Sequence, residues 1–205
     1  MRFKSLAVLL LIIISAGCGT VSVTTIKPNP QAEKLDRILI IAMTNNYETR
    51  TMYEEELSYR LREKGYNMFS SVNVDKNKKN LYTKEEILQL IEDKNVDGVI
   101  TMRLKDLSTK DSYSYSGGYM DGAYNQPNYF FNYIDNLYRV NSWSYQTQQK
   151  VVVEANLFEA DDKSLIFQVN ATVKNAEGAE DRASDFCGSF AKSFDQSGLL
   201  KKKVE

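Results

Sequence analysis

The chain contains no histidine and only two cysteines, three prolines and one tryptophan in 205 residues. Without histidine there can be no Ser-His-Asp triad, no Cys-His pair and no imidazole metal ligand. The two cysteines, Cys18 near the start and Cys187 near the end, allow at most one intrachain disulfide. Charge of one sign is also missing: 26 basic residues face 27 acidic ones. That balance lacks the clustered positive charge that binds nucleic acid, and no nucleic-acid partner is expected. No apolar run is long enough to span a bilayer, which takes about 20 residues; Leu6 to Ile14 offers roughly half.

What is present begins at that short run. Arg2 and Lys4 precede it, and Ser15, Ala16 and Gly17 follow it, immediately before Cys18. A basic start, an apolar stretch and small residues are the parts of a secretory leader. The sequence "SAGC" resembles the lipobox of bacterial lipoproteins, with Ser15 where leucine is usual. The resemblance implies cleavage after residue 17, diacylglycerol on Cys18 and a fatty acyl group such as palmitate on the new amine. Each buried methylene adds about 0.8 kcal/mol, so two or more chains anchor stably where one does not. By analogy with such lipoproteins, Gly19 rather than aspartate after the lipid site favours the outer membrane, facing the periplasm. Loss of Arg2 and Lys4 with the leader leaves a net charge of about −3 on the mature chain.

Residues 18–36 read as a lipidated tether, polar and carrying Pro28 and Pro30. As a flexible chain such a length spans roughly 25 Å. The alternation of Val21, Val23 and Thr25 leaves a short strand open as an alternative.

Residues 37–200 read as a single α/β domain, with helices packed on a mixed sheet in the order βαβαβ-(insertion)-ββ-α, and 201–205 as a basic tail. The isoleucine-rich run Arg37 to Met43 predicts a buried strand. Tyr53, Leu57 and Leu61 mark an amphipathic helix, with Arg60 and Lys64 outward. Thr51 and Glu54 have capping-box spacing, although Glu48 already suits a first turn. Gly65 sits where a left-handed C-cap belongs. "NMFSSVNV", from Asn67, predicts a weaker strand, and "KNKK" at 76–79 a solvated loop. Thr83 and Glu86 form a second capping box before Ile87, Leu88, Leu90 and Ile91. A strand follows from Gly98. Strict alternation over 143–158, the turn "EADDKS" and "LIFQVNATV" predict a hairpin. A last helix is expected from Gly178 to Ser197. Ala183, Phe186, Cys187, Phe190 and Phe194 recur there at helical spacing, so Cys187 reads as a packing thiol.

No glycine-rich turn follows the first strand, so neither a P-loop nor a dinucleotide fingerprint is present there. No cofactor and no metal are expected. Asp97, Asp106 and Glu154 are available carboxylates, but acid–base catalysis needs a pair held in one pocket, and the spacing indicates none. The chain is not expected to be an enzyme.

The insertion at 113–145 holds eight of the 13 tyrosines. Its candidate partner-binding residues are Tyr113, Tyr115, Tyr119, Tyr124, Tyr129, Phe130, Phe131, Tyr133, Tyr138 and Trp143. Tyrosine among Ser, Gly and Asn is the composition of binding loops. Three readings stand: the aromatics cover the domain's own sheet, bind a protein or glycan, or rest on the bilayer interface.

The pattern "ILIIAM…YEEELSYRLREKGY…TKEEILQLIEDKNVDGVITMRL" resembles a small envelope domain. Relatives of that kind occur in the N-terminal part of the Tol-system periplasmic protein, in lipoprotein activators of penicillin-binding proteins and in the curli secretion lipoprotein. The resemblance covers about 37–173 without the insertion, and it transfers no site residue. It implies a mixed α/β sandwich with a binding or scaffold role, toward an envelope protein or a peptidoglycan-associated partner. An oligomeric secretion or pore component, its insertion touching the membrane, is the alternative.

Overall fold

The computed structural model describes residues 21–27, 29, 32–109, 148–174 and 182–203. Six strands form one mixed sheet, and four helices pack on it, so the fold is α/β as the sequence pattern predicts.

The first strand, β1 (Ser22–Ile26), falls inside the segment read as a tether. Its β-branched residues pair antiparallel with residues 168–172, far along the chain. Leu35 is also buried, and its amide donates to the Leu199 carbonyl at 2.8 Å. The domain therefore begins before residue 37, and any free tether is shorter than 18–36.

Strand β2 (Arg37–Ala42) is buried on both faces. Ile38 and Ile40 join one core cluster, and Leu39 and Ile41 the other. This is why the run is continuously apolar rather than alternating. Helix α1 (Tyr47–Glu63) follows. Its N-cap is Asn46, whose side chain accepts from the Thr49 amide, and not Thr51. Thr51 lies inside the helix and donates to the Tyr47 carbonyl at 2.8 Å. Glu48 is the acidic residue of the first turn. The helix stops where Gly65 takes φ +88°, a conformation that costs glycine little.

Strand β3 (Asn67–Ser70) is shorter than the sequence suggests, because Ser71–Val74 turns into helix α2. The turn brings the Ser71 hydroxyl and the Val72 amide onto Glu54. Helix α3 (Lys84–Asp93) carries the complete Thr83–Glu86 capping box. The loop before it is not simply solvated: Lys78 pairs with Glu86 at 2.6 Å.

Strands β4 (Gly98–Thr109), β5 (Gln148–Glu159) and β6 (Leu165–Lys174) form the antiparallel half. Helix α4 (Ala183–Ser197) closes the domain. The strand order is β1-β6-β5-β4-β2-β3, with β2 parallel to β3 and β4. The expected start of the last helix at Gly178 lies outside the described residues.

Helices α1 and α4 cover one sheet face together. Tyr53, Leu57 and Leu61 meet Phe186, Phe190 and Phe194 over Ile38, Ile100, Val153 and Val169. Full burial of each phenylalanine contributes about 1.5–3 kcal/mol. Helix α3 covers part of the other face, with Ile87 and Ile91 on Leu39, Ile41, Val99 and Phe158. The end of the chain is not a loose tail. The Lys201 amide donates to the Leu35 carbonyl at 2.7 Å and the Lys203 amide to the Gly65 carbonyl at 2.8 Å, while the lysine side chains stay exposed.

Candidate functional site

Cys18 and the ten aromatic candidates from Tyr113 to Trp143 lie outside the described residues. The backbone nonetheless places the root of the insertion. Thr109 pairs with Gln148, so 110–147 connects two neighbouring antiparallel strands.

Below that root lies a polar sheet face. Thr101, Asn156 and Gln168 are side by side in one row across β4, β5 and β6. Arg103, Glu154 and Asn170 form the next row. A register shift between Leu104 and Asp106 leaves Lys105 as an extra residue on β4. Such a bulge re-aims side chains, and Lys105 reaches Glu154 from it.

Glu154 is only 1 % exposed. Arg103 Nε donates to its Oε1 at 2.8 Å and Asn156 Nδ2 at 3.0 Å. Lys105 Nζ lies 3.0 Å from Oε2, and Gln168 Nε2 donates to Oε2 at 2.8 Å. Burial pushes this carboxyl up, but the charges of Arg103 and Lys105 and their hydrogen bonds outweigh it and hold the group below the usual carboxylate range. The Gln168 amide is oriented by its two acceptors, Glu154 and Asn156, which leaves its Oε1 buried without a partner.

A second buried carboxylate, Glu54, sits across the sheet where β2 ends. The Ala42 amide donates to Oε1 at 2.9 Å and the Val72 amide to Oε2 at 3.0 Å. Ser70 and Ser71 add hydroxyl donors. Burial dominates and raises its pKa to about 7, against the lowering effect of these donors and of Arg50. Arg50 itself bonds the carbonyls of Lys78 and Asn80 and lies over the rings of Tyr47 and Tyr82. Tyr82 donates to the Ser71 carbonyl, and burial pushes its hydroxyl up to about 12.

The other sequence candidates have structural duties. Asp97 accepts from the amides of Asp36 and Arg37, both at 2.8 Å, and so fixes the start of β2. Asp106 pairs with Lys150 at 3.3 Å. The Cys187 thiol is buried and donates to the Tyr53 carbonyl at 3.6 Å; burial, then the Glu56 charge, pushes it well above the ordinary thiol range. Glu154 was a candidate in the sequence without its cations, and Glu54 was not among the candidates. The alternation of Arg103 and Lys105 on a strand was the available signal for the first. For Glu54 the signal was its helical spacing with Leu57 and Leu61.

Chemically, both glutamates hold chain segments together. Each oxygen already accepts at least two donors, so neither offers a free lone pair to a substrate. Among the described residues no group of three His, Cys, Asp or Glu side chains is placed to hold a metal, and no helix is long and apolar enough to cross a membrane.

No family model matches the chain, and no curated protein matches it. Solved structures with a similar chain path include the following two. The PelC dodecamer from Paraburkholderia phytofirmans is 12% identical, with a TM-score of 0.45 over 89% of this chain and 100% of that one. The lipoprotein GNA1162 from Neisseria meningitidis is 13% identical, with a TM-score of 0.38 over 78% of this chain and 96% of that one. Both likenesses are remote, and nothing about function passes with them.

Proposed function

We propose that the chain is a lipid-anchored, non-catalytic binding or scaffold protein of a bacterial envelope. The observation that carries this reading is Cys18, set directly after a short apolar run and the small residues Ser15, Ala16 and Gly17. Lipid on that sulfur moors the domain at a membrane, on the outer-membrane side if Gly19 acts as in other lipoproteins. The buried chemistry supports the non-catalytic part. Glu54, Glu154, Asp97 and Cys187 are each engaged in holding the fold. Partner capture falls to the tyrosine-rich insertion, whose flanking residues Thr109 and Gln148 pair with each other. Its partner is an envelope protein or a peptidoglycan-associated component.

The deciding experiment is Cys18→Ser in the full chain, followed by membrane fractionation. The wild type is expected in membranes and the variant in the soluble fraction. A variant that stays with membranes removes lipid as the anchor, and an unmodified Cys18 thiol in mass spectra of native protein does the same. Crosslinking in intact cells then identifies what the insertion holds. A ladder of products well beyond twice the chain's own mass would favour the oligomeric secretion component instead.

A further inference from the structure

The sheet has two edges, and the chain treats them differently. At the β3 edge the strand has only four residues, and the C-terminal segment protects its start. Tyr66 bridges Lys202, and the Lys203 amide bonds the Gly65 carbonyl. Short edges flanked by lysines resist pairing with other chains.

The β1 edge is also short, at five residues, but among the described residues no segment pairs with its outer side. Ser22–Ile26 contains no charge and no proline, and its pairing with β6 has no bulge. All five residues are exposed. Among the described residues the exposed large hydrophobics are Val23, Ile26 and Tyr59, so two of the three belong to this one short strand. Lys27, the nearest charge, is turned away: its ammonium donates to the Ser197 carbonyl at the end of α4, at 3.0 Å. Such a bare row of backbone donors and acceptors is a template for another strand.

We infer that a second copy of this chain pairs on β1, antiparallel, about a two-fold axis through Thr24. A two-fold interface brings the same patch to itself, so the strand must complement its own sequence. It does. With Thr24 opposite the partner's Thr24, Val23 meets the partner's Thr25 and Ser22 meets the partner's Ile26. β-Branched side chains meet across the seam, and no like charges oppose. Pro28, which has no amide hydrogen, limits the pairing to this stretch. The result is one continuous sheet across two copies.

A five-residue seam lies below the roughly 1,200 Å² of stable soluble interfaces. Pairing is therefore weak between freely diffusing chains. Copies tethered in one membrane face each other at a far higher effective concentration. That gain in strength rests on the proposed anchor at Cys18, whereas the seam itself does not.

The test is Thr24→Cys in the full chain, oxidised in native membranes. Opposed Cα atoms in an antiparallel pair are about 4.5–5.5 Å apart, within disulfide reach. Cys187 is fully buried and does not compete. The expected result is a disulfide-linked dimer at twice the chain mass, absent from the parent and from an Asn77→Cys surface control. Adding Val23→Lys and Thr25→Lys should abolish that dimer without changing the thermal unfolding midpoint. If these lysines unfold the domain, dimer formation by Thr24→Cys against the Asn77→Cys control still decides. No dimer, or a product of a different mass, overturns the inference. If the chain fractionates as soluble, the anchor reading fails separately, and the same oxidation of the concentrated soluble chain, with Cys18→Ser added so that no second thiol competes, then decides the seam.

Discussion

Among the described residues two glutamates lie buried, and the protein accommodates them in opposite ways. Glu54, on a helix, is surrounded by neutral donors: two backbone amides and two serine hydroxyls. Glu154, on a strand, is flanked by two cations. The nearest cation to Glu54, Arg50, bonds carbonyls instead. Desolvation consequently wins at Glu54 and its pKa rises to about 7, while Coulomb attraction wins at Glu154 and its pKa falls. Burial alone does not set the charge of a group. What decides is whether the neighbours bring full charges or only dipoles.

The largest effect is expected for Glu54→Ala. It leaves two amides and two hydroxyls without an acceptor in a site closed to water, and should cost about 4 kcal/mol in urea unfolding. Glu54→Gln keeps an acceptor and should cost much less.

Next comes pH. The folded pKa of Glu54 lies above its unfolded value of 4.5, so the folded state binds the extra proton. Stability from this group is full below about pH 4.5 and declines as pH rises through about 7, by up to about 3 kcal/mol. Glu154 has the reverse sign. Its folded pKa is depressed, so its contribution is present at neutral pH and is lost only as pH falls below the usual carboxylate range. Urea midpoints at pH 5 and pH 7.5 should therefore fall with rising pH in the wild type. The slope should flatten in Glu54→Gln and persist in Glu154→Gln.

Glu154→Ala should cost about 2–3 kcal/mol, less than Glu54→Ala. The cations it leaves behind are not fully enclosed: the side chains of Arg103 and Lys105 are 18% and 29% exposed and can turn toward water. The smallest effect is expected for Lys105→Met, about 1 kcal/mol, because Arg103 still neutralises Glu154. A Lys105→Met cost equal to that of Glu154→Ala would mean that the lysine, and not the arginine, holds the carboxylate.

Much of the fold was legible because it depends on local chemistry. Gly65 ends a helix through its own backbone freedom, and Thr83 caps one through Glu86 three residues on. The turn before Leu165 and the aromatic stripe around Cys187 were equally plain. The misreadings have different causes, one local and one distant. Thr51 looked like a cap, yet Asn46 took that place one turn earlier. Ser71 and Val72 looked like strand, yet a glutamate distant in sequence drew them into a helical turn. The tyrosine-rich candidates were legible as composition only, and the described residues show no more than the strands that carry them.

Most of the helices and strands, the apolar faces and the place where a lipid could be attached are legible in the sequence. These follow from periodicity, caps and small-residue spacing within a few turns of chain. Only the tertiary structure decided that β1 joins the sheet beside β6, that the C-terminal segment closes over Gly65 and that the two glutamates titrate in opposite directions. Each depends on which distant groups end up a few ångströms apart, and Coulomb and desolvation energies act on that distance, not on separation along the chain.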